Sequence, residues 1–401
     1  MADTAELARA LGARVGDVVD LTEALVRAPS PNPPGDERAP AAVLDAYLTG
    51  PPGIRRTVVA TAEARPNLIF TAGHGPRTLT LAAHMDTHPI VGHWSFDPAG
   101  QRVGDRLYGR GTTDNKGAVA AMASVFRAAC EHGLPPGFKL ALLANADEEV
   151  GGSEGVQAVL DRFEDPLGAV VVAEPSGIDA AFEALYVAAR GTTRFTLSTV
   201  GLRTHSSLAG RAGAPSAVEA LDAALRAIAD RLPVLSQTHE RFGPAGRLTV
   251  ARIEGGDGYG VIPYTASAEV EIRLTPGSSQ EEIEQGLRAA LEGLPVELRF
   301  ADGSLRWMGP SEIDGEHPLT QAAADAWRDV LGADPELGCF PGGTDARLFT
   351  ERGIPALSGV GPGALVRAHH PDEYVTTQEL AIATRLYAAI VARYALNEGE
   401  R

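Results

Sequence analysis

Acidic and histidine side chains follow three apolar runs of this sequence, at the point where each run ends. The run TLTLAAH ends in His84, and Asp86 lies two residues further on. The run FKLALLANADEE ends in Glu148 and Glu149, and AVVVAEP ends in Glu174 followed by a proline. Imidazole nitrogens and carboxylate oxygens are common ligands of divalent metal ions. Carboxylates that converge without a cation repel and keep one another protonated, so the pattern favours a metal site.

Two further motifs offer ligands of the same kinds. Asp114 lies in the glycine-rich stretch YGRGTTDNKG, directly before a helical pattern, and AHHPDE offers His369 or His370. Five or so ligands exceed the need of one tetrahedral ion, which indicates two ions that share a bridging carboxylate and lie roughly 3.5–4 Å apart. Because the set contains oxygen and imidazole but no thiolate, zinc is the default metal, with manganese and cobalt as the other candidates.

Each motif alone also has a purely structural interpretation. HMD and DEE occur by chance, Asp114 could cap the helix that follows it, and Glu174 before a proline could be a solvated strand end. A lone histidine in a Ser/Thr-rich loop, such as His205, is typical of a surface residue, and Arg273 could be a solvated strand residue. The joint occurrence of the acidic motifs at the ends of apolar runs favours the metal site.

The elements that must position these side chains follow from the hydrophobic pattern. From about residue 78 to 174, short apolar runs alternate with helical stretches such as GAVAAMASVFRAACEHG. Strands that are apolar at every position, separated by helices, indicate a sheet covered on both faces. In open α/β sheets, ligands bind beyond the carboxyl ends of the strands. Neighbouring parallel strands would therefore bring the candidate ligands to one edge of the sheet.

A different pattern begins near residue 190. TRFTLSTVG alternates like a half-exposed strand, and it is followed by a helix, two strands, a helix capped by Ser278 or Ser279, and the strand VELRF. The order β-α-β-β-α-β is that of a ferredoxin-like sandwich. Helical patterns return after about 305 and end in a helix from about 377 to 396. We expect one α/β domain in two pieces, 1–187 and 304–401, with a smaller α+β domain inserted at 188–303.

Composition restricts the partners of the chain. The 401 residues carry a formal net charge of −17, which argues against nucleic acid or an anionic membrane as partner, because like charges repel. A small substrate or a cation fits better. Cys130 and Cys339 are too few and too far apart for a disulfide framework or a thiolate metal site. The start shows no leader pattern, and no window reaches the roughly 18 apolar residues of a membrane span, so we expect a cytoplasmic protein without membrane contact.

Taken together and in order, the motifs resemble the M20 metallopeptidase family over nearly the whole chain. They are LVRAPSPNPPGDE, HMDTHP, GRGTTDNKG, DEEVGG, AEP, RTHSSLAGRAGAPSA, GGTDAR and GPGALVRAHHPDE. The family includes deacylases, such as acetylornithine deacetylase and succinyl-diaminopimelate desuccinylase, as well as peptidases. The resemblance implies a zinc-peptidase-like α/β catalytic domain with an inserted ferredoxin-like α+β domain that serves as lid and dimerisation domain. It also implies a homodimer.

The resemblance implies a role for each metal-site residue. The implied ligands are His84 and Glu174 for one ion, Glu149 and His369 for the other, and Asp114 as the bridge. His369 is preferred over His370 because the family's spacing of His, three residues and Glu is met by His369 and Glu373.

Three further residues match catalytic positions of the family. Asp86 resembles the residue that orients the ligand two positions before it, and Glu148 resembles the general base. Of two adjacent glutamates, one can bind the ion while the other accepts a proton from the bridging water and passes it to the leaving nitrogen. His205 in RTHSS matches a lid histidine that stabilises the developing charge, often from the partner subunit of a dimer. Asp147 is assigned neither the ligand nor the base role.

The resemblance is weaker for substrate binding. Arg273 in EVEIRLTP matches an arginine that pairs with the substrate's carboxylate, a role suited to the bidentate guanidinium. Gly343 and Thr344 in GGTDAR resemble a turn that contacts the substrate. One departure stands out: Gly260 in GGDGYGVIP occupies a lid position where many relatives have asparagine. We therefore expect the substrate's size or polarity to differ from that of the amino-acid deacylases.

The sequence thus predicts a two-metal hydrolase that cleaves the amide bond of an N-acyl amino acid, as a deacetylase or desuccinylase does, with a metal-bridging water as nucleophile. A carboxypeptidase or dipeptidase acting on short peptides is the alternative. A metal-dependent binding protein without turnover is a further alternative. The presence of Glu148 and of all five implied ligands favours an enzyme, because a protein that had lost its catalytic activity would lose these residues first.

Overall fold

The computed structural model describes residues 4–12, 14–211, 213 and 215–396. These residues form two compact units: the first comprises those of Met1–Ala189, Ser311–Phe340 and Thr344–Arg401, and the second those of Arg190–Pro310 and Pro341–Gly343. The second unit thus interrupts the chain of the first. It extends further than the expected insertion at 188–303, because Trp307–Met308 forms a short strand that pairs with Thr192 and Thr193.

The secondary structure alternates as the hydrophobic pattern predicts. The helices are α1 Thr4–Leu11, α2 Val15–Val26, α3 Arg38–Leu48, α4 Gly117–His132, α5 Val156–Arg162, α6 Ala217–Arg231, α7 Gln280–Ala290, α8 Pro318–Leu331, α9 Ala346–Glu351 and α10 Thr377–Leu396. The strands before the second unit are β1 Arg55–Ala60, β2 Pro66–Gly73, β3 Arg77–His84, β4 Gln101–Val103, β5 Arg106–Tyr108, β6 Phe138–Asn145, β7 Ala169–Val172 and β8 Leu185–Ala189. The strands of the second unit are β9 Gly191–Val200, β10 Thr238–His239, β11 Gly243–Pro244, β12 Gly246–Gly255, β13 Thr265–Leu274, β14 Glu297–Phe300 and β15 Trp307–Met308. The strands after it are β16 Ser311–Glu312, β17 Leu337–Phe340, β18 Ala356–Leu357 and β19 Tyr374–Thr376.

The central sheet of the first unit has the strand order β1-β2-β6-β3-β7-β18. Its strands β6, β3, β7 and β18 run parallel, whereas β1 and β2 pair antiparallel with their neighbours. Every residue of β7 is buried, and so is every residue of β3 after the first. Helix α4 packs on β3 and β6, and residues of α5 and α9 pack with sheet residues such as Leu143 and Val170. A sheet covered in this way explains the continuous apolar runs.

The second unit is a ferredoxin-like α+β sandwich. Its antiparallel sheet has the order β12-β13-β9-β14. Along β13, buried residues alternate with more exposed ones, because one face packs against α6 and α7. Both helices begin with a serine cap: the side chain of Ser216 accepts a hydrogen bond from Glu219 N, and that of Ser279 accepts one from Glu282 N.

Two small sheets complete the first unit and support its loops. Strand β8 lies between β16 and β17, and β5 lies between β19 and β4. The pairing of Tyr374 with Tyr108 brings the segment that contains Glu373 beside the segment that follows β5. None of the helices in the described part of the chain is both long enough and apolar enough to cross a lipid bilayer.

Candidate metal centre

The candidate ligands lie at one edge of the central sheet, beyond the carboxyl ends of parallel strands. His84 is the last residue of β3 and pairs in register with Asn145, the last residue of β6. On the other side of β3, β7 ends at Val172, and Glu174 follows two residues later. The side chains that follow these three strands are therefore close together, as expected for a parallel sheet.

Asp114 forms a first triad with His84 and Glu174. Nε2 of His84 lies 3.0 Å from Oδ1 of Asp114 and 3.8 Å from Oε1 of Glu174. The three potential ligand atoms all lie within 4.8 Å of one another. Asp114 reaches this position from the irregular turn Thr112–Lys116, which directly precedes α4.

The other carboxylate oxygen of Asp114 belongs to a second triad, with Glu149 and His369. Nε2 of His369 lies 3.4 Å from Oδ2 of Asp114 and 3.1 Å from Oε2 of Glu149. Asp114 thus presents one oxygen to each triad, as a bridging carboxylate does. The neighbouring His370 is exposed, and its Nδ1 lies 2.6 Å from the carbonyl oxygen of Pro371, so it stays outside the triad.

The charge state of the two triads fits bound cations. Burial raises the pKa of Glu174 to about 8, and hydrogen bonds with Asp114 and Glu149 raise the pKa of His369 to about 10. Oε1 of Glu149 and Oε1 of Glu174 are buried, and no described residue donates a hydrogen bond to either. Buried carboxylates without compensating positive charge are costly. Divalent ions would supply that charge, and carboxylate with imidazole donors suits zinc, manganese or cobalt.

Asp86 fixes the orientation of the His84 ring. Nδ1 of His84 lies 3.0 Å from the backbone carbonyl oxygen of Asp86 and 3.3 Å from its carboxylate Oδ1. Both oxygens are acceptors, so Nδ1 carries a hydrogen, and Nε2, which faces Asp114 and Glu174, is the nitrogen that would bind an ion. A hydrogen bond on the remote ring nitrogen is the usual way in which proteins orient a metal-binding histidine.

The carboxylate of Asp86 also binds the backbone of the Glu148–Glu149 turn. It accepts hydrogen bonds from Glu148 N at 3.2 Å, from Glu149 N at 3.1 Å, and from Nδ2 of Asn32 at 2.9 Å. Asp86 thereby connects the end of β3 to the turn after β6. The sequence pattern indicated only its contact with the histidine, since a main-chain contact leaves no signature in residue types.

Glu373 plays the corresponding part for the Asp114 turn. This fully buried carboxylate accepts hydrogen bonds from Thr113 N at 2.9 Å, from Asp114 N at 3.1 Å, and from Nη1 of Arg110 at 2.6 Å. Sequence reasoning used Glu373 only to choose between two histidines. Its spacing from His369 was nevertheless the signal that could have identified it as a residue of the site.

A family comparison agrees with this geometry. The profile of peptidase family M20/M25/M40 matches residues 80–393, which span the region from β3 to α10. The chain belongs to this family. The predicted resemblance is confirmed, and the chain is an enzyme of the metal-dependent M20 hydrolases with their mixed α/β fold.

Two curated relatives cover nearly the whole M20 chain. A succinyl-diaminopimelate desuccinylase of Paracoccus denitrificans is 29% identical over 390 residues, which are 95% of this chain and 99% of the relative. An N-acetyl-L-citrulline deacetylase of Xanthomonas campestris pv. campestris is 32% identical over 371 residues, which are 89% of this chain and 93% of the relative.

Solved M20 structures have the same fold. An M20 family metallo-carboxypeptidase from Sulfolobus solfataricus matches with a TM-score of 0.74 and 16% identity, over 95% of this chain and 100% of its own. A Bacillus subtilis protein described as a dinuclear metal binding peptidase from the M20 family matches with a TM-score of 0.65 and 16% identity, over 96% of this chain and 98% of its own.

The carboxylate of Glu148 differs from those of the M20 triads. Its backbone N–H is bound by Asp86, yet its side chain accepts no hydrogen bond from the described residues. Burial raises the pKa of Glu148 well above its ordinary value, and the negative charge of Glu174 raises it further. A carboxylate beside the triads that is not engaged in hydrogen bonding is available to exchange protons.

Beneath the triads lies a buried polar network that the residue types did not reveal. Asp147 accepts hydrogen bonds from Nδ2 of Asn32 at 3.2 Å, from Glu154 N at 2.9 Å, and from the guanidinium of Arg65. Arg65 in turn lies 2.9 Å from Oε1 of Glu37, and both of these side chains are buried. The PSPNPPGDE motif therefore supplies supports for the turn that carries Glu148 and Glu149.

A further carboxylate near the triads, Asp345, was also missed by sequence reasoning. It accepts a hydrogen bond of 2.7 Å from Nδ2 of Asn145 at the end of β6, and burial raises its pKa to about 6. The adjacent Thr344 is buried, and its Oγ1 accepts a hydrogen bond from Ala346 N at 3.2 Å. Arg347 donates to the carbonyl oxygen of Gly151 at 2.6 Å, so it braces the segment after Glu149.

Three predicted site residues, His205, Arg273 and Gly343, belong to the second unit. His205 is exposed, and its Nδ1 lies 2.9 Å from Oγ of Ser207. Its segment pairs with the one that contains Gly260, since Ser206 N donates to Gly260 O. Nε of Arg273 donates to Glu271 at 2.8 Å on a half-exposed face of β13. Gly343 is part of the second unit, whereas Thr344 is part of the first.

Proposed function

We propose that this M20 enzyme hydrolyses the amide bond of an N-acyl amino acid with two divalent metal ions. His84 and Glu174 would bind one ion, Glu149 and His369 the other, and Asp114 both. The observation that carries the proposal is the pair of triads that share Asp114. In each triad, the potential ligand atoms lie within 4.8 Å of one another.

The two curated relatives support a deacylase rather than a peptidase. They are named for the removal of succinyl and acetyl groups, and each aligns with about nine-tenths or more of this chain. The carboxypeptidase from Sulfolobus is similar in fold but only 16% identical. N-succinyl and N-acetyl amino acids are therefore the first substrates to test.

When bound, the two ions would polarise the scissile carbonyl and lower the pKa of a water molecule. The chain's own residues then divide the proton chemistry. Glu148, whose carboxylate lies beside the triads without a hydrogen-bond donor among the described residues, accepts the proton of the attacking water and delivers it to the leaving nitrogen. Asp86 keeps Glu148 in place through its backbone N–H and holds a hydrogen on Nδ1 of His84, so that Nε2 would be the nitrogen that binds an ion.

The remaining assignments are part of the same proposal. Zinc is the expected metal, with cobalt or manganese as substitutes, because the donors are carboxylate and imidazole without a thiolate. Arg273, Gly343 and Thr344 would contact the substrate, and His205 would stabilise the negative charge that develops on its carbonyl oxygen. We expect a cytoplasmic homodimer, which light scattering on the purified protein would test.

The experiment compares wild type with Glu148→Gln. Hydrolysis of N-succinyl and N-acetyl amino acids, measured with added zinc, cobalt or manganese, should fall by at least about 10²-fold in the variant. Metal content should stay near two ions per chain. Glu164→Gln is a matched control, because Glu164 is exposed and lies outside the site.

Three outcomes would contradict parts of the proposal. Activity that survives in Glu148→Gln would show that another group is the base. Turnover of dipeptides alone would make the chain a peptidase. Metal binding without turnover of any substrate would favour a binding protein.

A further inference from the structure

The two triad histidines differ in how their rings are held. The side chain of His84 is 1% exposed, and its Nδ1 lies 3.0 Å from the carbonyl oxygen of Asp86. The side chain of His369 is 47% exposed, and none of the described residues forms a hydrogen bond with its Nδ1. A histidine that binds a metal ion usually donates its other ring N–H to an acceptor. The orientation of the His369 ring therefore needs another cause.

A neighbouring carboxylate fixes the main chain near His369. Asp372, three residues further on, accepts hydrogen bonds from Ser95 N at 2.7 Å and from Phe96 N at 3.2 Å. His369 itself has a φ of +60°, a left-handed conformation that is uncommon for residues other than glycine. These features fix the backbone, whereas the imidazole can still rotate about the Cα–Cβ and Cβ–Cγ bonds.

The ring of His88 stacks on the ring of His369. The ring centroids are 4.4 Å apart, and the ring planes meet at 24°, which is the geometry of an aromatic stacking contact. His88 belongs to neither triad. Its Nδ1 lies 3.0 Å from the carbonyl oxygen of Pro89, which is an acceptor, so this nitrogen carries a hydrogen.

The main chain beside His88 is held by hydrogen bonds. The preceding residue, Thr87, is buried, and its N–H donates to the carbonyl oxygen of Ser30 at 3.0 Å. The carbonyl oxygen of Thr87 accepts a hydrogen bond from Asn32 N at 2.9 Å. His88 therefore extends from a fixed part of the first unit and can act as a fixed surface for the half-exposed ring of His369.

We propose that His88 is a positioning residue, whose ring holds the ring of His369 in the orientation that directs Nε2 into the second triad. Stacking would thus do for His369 what the hydrogen bond of Nδ1 does for His84. An aromatic contact of this kind changes an equilibrium constant by about 2–12-fold. The inference rests on the proposed function, because it assumes that His369 binds an ion.

Two variants separate the ring of His88 from its hydrogen bond. His88→Phe keeps an aromatic ring but has no N–H to donate to Pro89, whereas His88→Gln keeps an N–H donor but has no ring. His74→Gln is the matched control, because His74 is exposed and lies between β2 and β3. Circular dichroism establishes that each variant is folded, and His88→Leu replaces His88→Gln if that variant does not fold.

The first measurement is the affinity of the full chain for each of two zinc ions, by competition with a chromogenic chelator. In His88→Gln, one ion should bind about 2–12-fold more weakly and the other as in wild type, because the stacking contact is lost. His88→Phe and His74→Gln should keep both wild-type affinities. An equal loss in His88→Phe and His88→Gln would overturn the inference, since a nitrogen of His88 and not its ring would then be needed.

The second measurement is NMR of the metal-free full chain with labelled histidines. The resonances of His369 are identified by their absence in His369→Gln. The ring current of His88 displaces these resonances, so they should move toward the values of an unstacked histidine in His88→Gln and stay displaced in His88→Phe. Unchanged resonances in His88→Gln would show that the two rings do not stack in solution, which would overturn the inference without any reference to metal.

The zinc affinity of His369→Gln distinguishes a failure of this inference from a failure of the proposed metal centre. If His369→Gln weakens the binding of one ion and His88→Gln weakens neither, the metal centre stands and the inference is wrong. If wild type binds no zinc, or if His369→Gln weakens neither ion, the proposed metal centre is wrong and the inference is overturned with it.

Discussion

Replacing Asp86 by asparagine should weaken metal binding although Asp86 belongs to neither triad. Oδ2 of Asp86 accepts from Asn32 and from Glu149 N, and Oδ1 accepts from Glu148 N and faces Nδ1 of His84. Every neighbour is thus a donor. The amide of asparagine keeps one acceptor oxygen, but its NH2 group is a donor. In either orientation of the amide, this NH2 group therefore faces neighbouring N–H groups that had an acceptor in wild type.

The magnitude follows from the hydrogen bonds that are lost. One buried donor loses its acceptor if the amide nitrogen replaces Oδ1, because Nδ1 of His84 keeps the backbone carbonyl of Asp86, and two lose it if the nitrogen replaces Oδ2. Each lost acceptor costs about 1–3 kcal/mol, so the total is about 1–6 kcal/mol. The cost divides between folding and metal binding, since the same contacts position His84 and the turn of Glu149. For residues that orient metal ligands, losses of affinity of about 10–100-fold are typical. We expect a loss in this range for Asp86→Asn, which corresponds to about 1.4–2.7 kcal/mol.

Competition with a chromogenic chelator would measure the zinc affinity, and urea unfolding of the metal-free protein would measure stability. Asp147→Asn is the matched control. Asp147 has a φ of 70°, a conformation that asparagine tolerates, and its carboxylate contacts Asn32, Arg65 and Glu154 but no ligand residue. The Asp147→Asn variant should have a lower free energy of unfolding than wild type, and its zinc affinity should stay near that of wild type. Wild-type affinity in Asp86→Asn, or an equal loss in both variants, would refute the reasoning.

Three further predictions concern the first unit. Burial raises the pKa of Glu37 from 4.5 to about 8. Between pH 4.5 and pH 8, the Glu37 carboxyl therefore keeps its proton in the folded chain and loses it in the unfolded chain. The free energy of unfolding of wild type should therefore fall relative to Glu37→Gln as pH rises from 4.5 to 8, by up to about 1.4 kcal/mol per pH unit, and a constant difference in urea titrations would contradict this. Gly35 and Gly53 have φ values of +81° and +75°, but only at Gly35 would an added Cβ overlap the guanidinium of Arg65. Gly53→Ala should lower the free energy of unfolding by about 1–2 kcal/mol, and Gly35→Ala should lower it by more. If urea unfolding gave equal losses for the two variants, the side chain of Arg65 would move aside without cost. Burial raises the pKa of the Cys130 thiol to about 12, so Ellman's reagent should modify Cys130 only when the protein is unfolded. Mass spectrometry of the native protein after treatment with the reagent would contradict this prediction if it found Cys130 labelled.

The edge of the sheet at which the triads form could be predicted from the sequence. Apolar runs that end in His84 and Glu174 indicate buried parallel strands, and the carboxyl ends of such strands meet by geometry alone. The β-α-β-β-α-β order likewise indicated the ferredoxin-like unit. These features are local in sequence, so residue types are sufficient to predict them.

The supports of the site could not be predicted in this way. Arg65 and Asp147 form a buried ion pair although 82 residues separate them, and no local pattern links them. Asp86 and Glu373 act on main-chain N–H groups, which every residue except proline possesses. The short strand Trp307–Met308 has too few residues to show an alternating pattern. Tertiary contacts determine all three features.

Because Asp86 and Glu373 hold the Glu148–Glu149 turn and the Asp114 turn through backbone N–H groups, and not through the side chains of Glu149 and Asp114, the positions of these turns do not depend on which residue occupies either proposed ligand position. Glu149 or Asp114 could be exchanged for histidine, asparagine or cysteine while the N–H groups of these turns remain bound. The scaffold would therefore tolerate changes of metal preference during evolution or in the laboratory with little rearrangement of the main chain.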